Sequence, residues 1–481
     1  MVHYTTSYND RLTLCDIGQV IQIDVLPDDV LLGIFDFYVD PSCKSKTTIE
    51  AWQTLVHVCR RWRNLVFQSP RRLNLRLYCT PRAPARDRLD VWPALPLLVS
   101  GILTILSGTD NIVAALRQSN RVCQVDLSGS QLDKVLAPMH VPFPELTALQ
   151  LWSHDRDNPM VISDTFLGGS APRLRFLFLH SISFPGLPKL LLSATHLVYL
   201  HLLYIPVSEY ISPEAIVAPL SVLSSLESLM LRFECPRPDR EISSLPSPKR
   251  SILPALAIFC FEGSIEYLEQ LLTRIDAPQL NKTFISFSPR IDVNFDFPQL
   301  VQFINRTPTL GALDEAHVQF QDDSTSLGFR YRTRTSKSSA DEFLIDISCR
   351  VSPLRLPSIK QVCNPSLHLL STVEDLYIEH RYWGNDAIGN DLWLQLLLPF
   401  IAVKNLYLSK EFAPGIAAAL QEHIGDRITE VLPSLQNIFV EELEPSEPFE
   451  KYFGQFVAAR QLSNHTIAVS VWDENSSMES M

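Results

Sequence analysis

Hydrophobic and polar positions at the start of the chain follow a helical period. Pro27 suits the first position of a helix, where its missing N–H costs nothing, and the two aspartates after it place negative charge in the first turn, as the helix dipole favours. Thr47 and Glu50 stand three residues apart and predict a capping box that opens a second helical segment. The apolar stripes of the two segments are Val30, Leu31, Ile34 and Phe35, then Leu55, Val58, Trp62 and Leu65.

From residue 73 onward the period changes to short apolar alternations. Leu73, Leu75 and Leu77 alternate with polar residues, which predicts a half-buried strand. Later segments repeat the order apolar-x-x-apolar-x-apolar, as in Leu146–Leu151 and Leu174–Leu179. The predicted strand centres lie near residues 75, 98, 125, 149, 177, 200, 229, 259, 283, 313, 345, 376, 406, 438 and 469.

Helical patterns lie between these strands, for example at 109–116, 212–217 and 263–272. Ser212 as N-cap followed by Pro213 is a good start signal. A strand–helix unit of this size cannot bury its apolar face alone, so neighbouring units must stack. The pattern therefore predicts an α/β solenoid with a parallel concave sheet and helices on its convex side. It resembles an irregular leucine-rich-repeat array, a family with periods of about 20–29 residues, although a regular Asn or Cys after each strand is missing.

Two stretches interrupt the rhythm. Residues 235–250 are rich in Pro, Ser and charge, which predicts a protruding loop. Residues 321–341 are polar and then basic, and two interpretations stay open for them, a β-hairpin or a mobile loop.

The N-terminal helical segment resembles an F-box. The family pattern is Leu-Pro, an apolar helix ending Ile-Phe, a loop, and a helix with Val-Cys-(Lys/Arg)-x-Trp; here these are Leu26-Pro27, Ile34-Phe35 and Val58-Cys59-Arg60-Arg61-Trp62. The chain as a whole is also similar to the expanded F-box families of mushroom-forming fungi. The alternative interpretation is a helical hairpin that packs on its own domain.

The resemblance implies a Skp-type adaptor as partner and, through it, a cullin of an SCF-type ubiquitin ligase. This segment carries more apolar surface than so small a unit buries internally, and surplus apolar surface on one face is typical of a protein-binding site. The residues expected to bind the adaptor are Leu26, Pro27, Val30, Ile34, Leu55, Val58, Cys59 and Trp62.

The predicted organisation is a tail at 1–19, a three-helix F-box at 20–70, the repeat array at 71–472 and a polar tail at 473–481. A net charge of −12 argues against nucleic-acid binding. Nine dispersed cysteines without metal-ligand spacing suit a reducing compartment. With no signal peptide and no apolar run long enough for a bilayer, we expect no membrane partner and a cytoplasmic or nuclear location.

Sequence signatures of catalysis are missing: there is no Gly-rich phosphate loop, no H-E-x-x-H and no G-x-S-x-G. We therefore expect no enzyme activity, no cofactor and no metal. Arginines between Arg60 and Arg88 have two open interpretations, an acidic partner's docking site or a solvated basic surface.

Side chains alternate across a strand, so the position between the last two apolar residues of each repeat faces the solvated side of the sheet. Aromatic residues at these positions have two open interpretations: a surface for an unidentified target protein, or burial beneath a terminal segment or the loop at 321–341. The candidate target-binding residues are Phe178, His201, Met230, Tyr377, Tyr407 and Phe439. Two functions follow: substrate recognition in an SCF-type ligase or, alternatively, a leucine-rich-repeat scaffold without a role in ubiquitination. An enzyme on an unfamiliar repeat fold is a third hypothesis.

Overall fold

The computed structural model places the chain in two compact units, one of residues 1–78 with 93–96 and one of residues 79–92 with 97–481. The described residues are 26–39, 51–70, 72–82, 89–103, 108–130, 132–155, 160–206, 211–233, 250–287, 297–321, 324–330, 343–348, 363, 367–380, 389–422, 429–441 and 450–472.

Three helices are described in the smaller unit: α1 (Asp28–Tyr38), α2 (Trp52–Val56) and α3 (Arg60–Gln68). Pro27 immediately precedes α1, and its carbonyl accepts a hydrogen bond from the Leu31 amide. The second helical segment is divided in two, because Cys59 has extended backbone angles and its Sγ accepts a hydrogen bond from the Trp62 amide at 3.4 Å. The predicted capping box at 47–50 lies outside the described residues.

The core of the smaller unit is aromatic. Phe35 and Trp52 are fully buried, and the Phe35 and Trp62 rings lie 4.7 Å apart. The Trp52 Nε1–H donates to the Arg76 carbonyl at 3.1 Å, so its polar atom is satisfied in the interior.

The strand predicted over Leu73–Leu77 was wrong in its bounds. The structure has a turn at residues 72–74, with Asn74 in the left-handed region (φ 47°), and the strand covers only Leu77–Cys79. All three leucines are buried nonetheless. The amide of Leu75 bonds the Pro70 carbonyl, so alternation here reflects a buried turn instead of a continuous strand.

The strands are β1 (Leu77–Cys79), β2 (Leu97–Leu103), β3 (Val122–Gly129), β4 (Ala148–Ser153), β5 (Met160–Val161), β6 (Phe176–His180), β7 (Ile182–Ser183), β8 (Tyr199–Ile205), β9 (Ser228–Phe233), β10 (Ser251–Ile252), β11 (Ile258–Gly263), β12 (Ile275–Asp276), β13 (Lys282–Phe287), β14 (Glu315–Phe320), β15 (Ser324–Arg330), β16 (Phe343–Ser348), β17 (Asp375–His380), β18 (Asn405–Leu408), β19 (Asn437–Glu441) and β20 (Ala468–Trp472).

The helices of the larger unit are α4 (Thr109–Leu116), α5 (Leu132–Leu136), α6 (Leu187–Ser193), α7 (Pro213–Leu220), α8 (Ile265–Leu272), α9 (Pro298–Asn305), α10 (His368–Thr372), α11 (Asn390–Leu397), α12 (Ala413–Glu422) and α13 (Glu450–Leu462), with 3₁₀ turns at Ala137–His140, Phe166–Gly169 and Pro308–Ala312. The predicted Ser212 cap is present, because its hydroxyl accepts from the Ala215 amide at 3.2 Å.

Among the described residues of the larger unit, fifteen strands form one mostly parallel sheet in the order β2-β3-β4-β6-β8-β9-β11-β13-β16-β15-β14-β17-β18-β19-β20. Two-residue strands pair separately, β5 with β7 and β10 with β12. The leucines of the repeat, such as Leu177, Leu229 and Leu406, are fully buried, while the positions between them are partly exposed. A mixed α/β unit with this sheet is consistent with a leucine-rich-repeat array.

The sheet departs from the expected uniform parallel order at one place. β14 and β15 form an antiparallel hairpin, and β15 is also antiparallel to β16. Strand β16 then pairs with β13, while β14 pairs with β17, so the strands near 313 and 345 are not neighbours. Residues 324–330 of the interrupted stretch are thus strand and 331–341 lie outside the described residues. The predicted loop at 235–250 is also outside them, except for Arg250.

Candidate interaction surfaces

The smaller unit exposes apolar side chains on its surface. Val30 is 43% exposed, Ile34 44% and Val58 57%, and Phe37 and Tyr38 at the end of α1 are more than half exposed. We call Pro27, Val30, Ile34 and Val58 the exposed apolar set, since Pro27 is exposed as well. These four belong to the residues predicted to bind an adaptor.

The other predicted adaptor residues lie deeper. Leu55 is buried in the unit's core, and Leu26, Cys59 and Trp62 are half-buried. Trp62 packs against Phe35, and Cys59 caps α3. The structure therefore separates the eight candidates into a surface set and a set that also supports the unit itself.

Several arginines of the basic run bond within the smaller unit. Arg61 Nη2 donates to the Leu26 carbonyl at 2.5 Å and to Asp28 Oδ1 at 2.6 Å. Arg72 pairs with Asp36 at 3.1 Å. At least part of the run therefore holds the ends of helices instead of offering unpaired charge.

Register pairing joins the candidate target-binding residues into rows on one face of the sheet. Phe178 pairs with His201, and His201 with Met230. Tyr377 pairs with Tyr407, and Tyr407 with Phe439. All six are partly exposed. The six residues therefore form two rows of three.

Phe178 and His201 of the first row belong to a larger group of rings. We call this group the N-terminal ring cluster: Trp152, Phe176, Phe178, His180, Tyr199, His201 and Tyr204. Trp152 stacks on His180 with centroids 4.2 Å apart. His201 Nε2 lies 3.0 Å from the Ser228 hydroxyl, and burial lowers the pKa of His201. Trp152 and Tyr199 are exposed.

The second row is a continuous stack, which we call the ring ladder: His317, Tyr377, Tyr407 and Phe439. Successive centroids are 4.4, 4.2 and 4.6 Å apart, and successive planes differ by 4°, 7° and 10°. Trp472 on the last strand meets the Tyr377 and Tyr407 rings edge-on at 5.9 and 5.6 Å. A residue of β20 thus lies against two rungs of the ladder.

Carboxylates surround the first rung. His317 is buried, and its Nδ1 lies 3.1 Å from Glu379 Oε1, while its Nε2 is 4.0 Å from Glu315 Oε2. Burial favours the neutral ring, but Glu315 and Glu379 outweigh it, so the pKa of His317 is raised. Glu379 also accepts from Gln319 Nε2 at 2.8 Å.

Sequence reasoning missed Trp152, His180, His317 and Trp472. Alternation alone places Trp152 on the same face as Gln150, two residues earlier, so that signal was present. His317 lies in the hairpin, where the repeat pattern is poor, and its place in the ladder depends on the pairing of β14 with β17.

Within the described residues, no group of three or more His, Cys, Asp or Glu side chains is placed to hold a metal ion. No helix in the described ranges is long and apolar enough to cross a membrane.

Comparison with known proteins gives only structural similarity. No protein-family model matches the chain, and no curated protein matches it. A leucine-rich-repeat-containing protein, LegL7 of Legionella pneumophila, is similar over 81% of this chain and 98% of its own, with 13% identity and a TM-score of 0.27.

Two solved complexes are similar in the same loose way. One is TLR13 with ssRNA13, at 13% identity and a TM-score of 0.32, covering 82% of this chain and 48% of that chain. The other is Rad7 with Elc1 of yeast, at 12% identity and a TM-score of 0.23, covering 88% of this chain and 90% of that chain. Superpositions this loose transfer no function, so the functional conclusion rests on the residues of this chain.

Proposed function

We propose that this protein is a non-catalytic substrate receptor of an SCF-type ubiquitin ligase. The smaller unit would dock a Skp-type adaptor and, through it, a cullin, and the open face of the sheet would hold a target protein. The mechanism is positional, because holding a target lysine near an activated thioester raises its effective concentration.

The observation that carries the proposal is the exposed apolar set at the F-box-like motif. Val30 and Ile34 lie one turn apart on α1, so they share one face of that helix. Val58 lies in the break between α2 and α3 and is also exposed. Exposed apolar groups supported by a buried aromatic core suit a surface that another protein covers.

Co-purification with a Skp-type adaptor tests the docking step. Ile34→Asp with Val58→Asp should abolish adaptor capture, because two desolvated carboxylates in an apolar interface are costly. Both positions are exposed, so the unit should stay folded. The matched control is Val222→Asp with Ile401→Asp, which changes the same residue types at 41% and 51% exposure on turns of the larger unit. The control should retain capture, and adaptor binding by the first variant would refute the docking step.

The scaffold alternative differs in its consequence for a target. If the chain is a ligase receptor, the abundance of a bound protein should rise when the chain is deleted. Supplying the wild-type chain should restore the original abundance, whereas supplying Ile34→Asp with Val58→Asp should not. Unchanged turnover of every bound protein would favour the scaffold.

A further inference from the structure

Carboxylates border the ring ladder on both sides. Positions two residues before each rung share its face of the sheet, and they hold Glu315 and Asp375 beside the first two rungs. Positions two residues after the rungs hold Glu379 beside Tyr377 and Glu441 beside Phe439. The ladder is therefore an aromatic strip between two acidic borders.

These carboxylates are partly desolvated. The side chain of Glu315 is 19% exposed and that of Glu379 12% exposed. Asp375 is buried and accepts from Asn405 Nδ2 at 2.5 Å. Among the described residues, Arg330, paired in register with Glu315, and His317 are the basic groups that we place on this part of the face. Four carboxylates against these two groups give the described face a negative balance.

The negative charge reaches the rings themselves. Burial raises the pKa of the Tyr377 hydroxyl far above its usual range, and Tyr407, Glu315 and Asp375 raise it further. Burial opposes a charge of either sign, whereas the carboxylates of Glu315 and Asp375 favour a cation beside the ring. Aromatic faces also attract ammonium and guanidinium groups. Within the ladder the rungs cover one another's faces, so this attraction applies to the side of Phe439 that points away from Tyr407.

The ladder also ends on a small residue. The register partner of Phe439 on β20 is Ser470, which carries no ring. Trp472, two residues on, shares that face and is half-buried. A planar guanidinium or an ammonium beside Phe439 would thus lie near Glu441 as well as aromatic carbon.

We propose that the ring ladder and its acidic borders bind a basic, extended segment of a partner protein. Lys or Arg side chains of that segment would pair with Glu315 and Glu441 while their stems lie on the rings. The inference rests on the proposed function in one respect, that the open sheet face is where a target is held. It adds the chemistry of the target: a cationic segment, not an acidic or phosphorylated one.

The probe is a fluorescein-labelled dodecapeptide of alternating Arg and Ser, titrated with the full chain and followed by fluorescence anisotropy. Wild type should bind it, and a peptide of alternating Glu and Ser should not bind. Glu315→Gln with Glu441→Gln should weaken binding at least tenfold, because charge is removed from both borders with little change in shape.

The control is Asp133→Asn with Glu266→Gln, which removes two exposed carboxylates from helices α5 and α8. This control changes the net charge of the chain by the same amount as Glu315→Gln with Glu441→Gln, and it should alter the affinity for the Arg-Ser peptide less than twofold. Equal weakening by both double variants would mean that net charge alone attracts the peptide, and no binding by wild type would also overturn the proposal.

A second copy of the chain is the competing occupant. Sedimentation would reveal a dimer, and a dimer that Glu315→Gln with Glu441→Gln strengthens would assign the face to self-association and overturn the proposal. Adaptor co-purification is measured separately, so failure of peptide binding leaves the docking step standing, and failure of docking leaves the peptide result standing.

Discussion

His317 is the residue whose charge state the fold controls most clearly. It is buried at the end of the ring ladder, and two carboxylates hold its pKa above the ordinary value of about 6.5. A raised folded-state pKa stabilises the fold below the unfolded pKa and loses that contribution as pH rises through the folded value. Raising the pH from about 6 to above the folded pKa should therefore loosen β14.

Hydrogen exchange of β14, corrected for the intrinsic pH dependence of exchange, measures this effect. His317→Gln should remove it. His201 gives an internal control of opposite sign: burial lowers its pKa, so its neutral form is favoured, and β8 should lose protection as pH falls below about 6.5. The assignment fails if β14 responds to pH identically in wild type and His317→Gln.

Single side chains also show the limit of reading a sequence. The predicted stripe of α1 contains Val30, Leu31, Ile34 and Phe35, yet the structure buries Leu31 and Phe35 and exposes the other two. The period of 3.6 residues places all four within one broad stripe. Which edge of the stripe meets the core depends on where α2 and α3 pack, and no local pattern contains that information.

At the scale of elements, two glycines differ in whether the structure has room for a side chain. A Cβ added at Gly33, inside α1, meets no atom within 4 Å. Gly33→Ala should stabilise α1 by about 0.5–1 kcal/mol, because alanine loses less backbone entropy in a helix. Hydrogen exchange across α1 measures the change, and faster exchange in the variant would contradict it.

Gly129 at the end of β3 provides the comparison. Its φ is +141°, and an added Cβ would lie 2.1 Å from the Leu103 carbonyl oxygen of β2. Gly129→Ala should therefore loosen the pairing of β2 with β3, seen as faster exchange in those two strands.

Most strands of the array could be placed from sequence because the order apolar-x-x-apolar-x-apolar recurs from one repeat to the next. The direction of β15 could not, since apolar alternation is the same in a parallel and an antiparallel strand. The break between α2 and α3 was hidden for a different reason: Leu55, Val58 and Trp62 fit one helical period across it. Alternation predicts the face on which the aromatic residues lie, whereas their stacking depends on the register of neighbouring strands.

At the scale of the larger unit, stacked repeats interact mainly with their neighbours, so damage should stay local. Leu177 on β6 and Ile378 on β17 are both fully buried. Replacing either by alanine should cost about 2–5 kcal/mol. Leu177→Ala should raise exchange in β4, β6 and β8 while β17 and β18 stay protected, and Ile378→Ala should do the reverse. Uniform loss of protection in either variant would show that the array unfolds as one cooperative body.

The order β13-β16-β15-β14-β17 has a consequence for biosynthesis. As the chain leaves the ribosome, β13 is made before β14 and β15, but its partner on that side is β16. Until Ser348 has emerged, the nascent sheet ends in an open strand whose amides and carbonyls can pair with another chain. Because β14 and β15 are made first, the pairing of β13 with β16 is delayed. We expect the nascent chain to be most prone to aggregation while β14 and β15 are being synthesised.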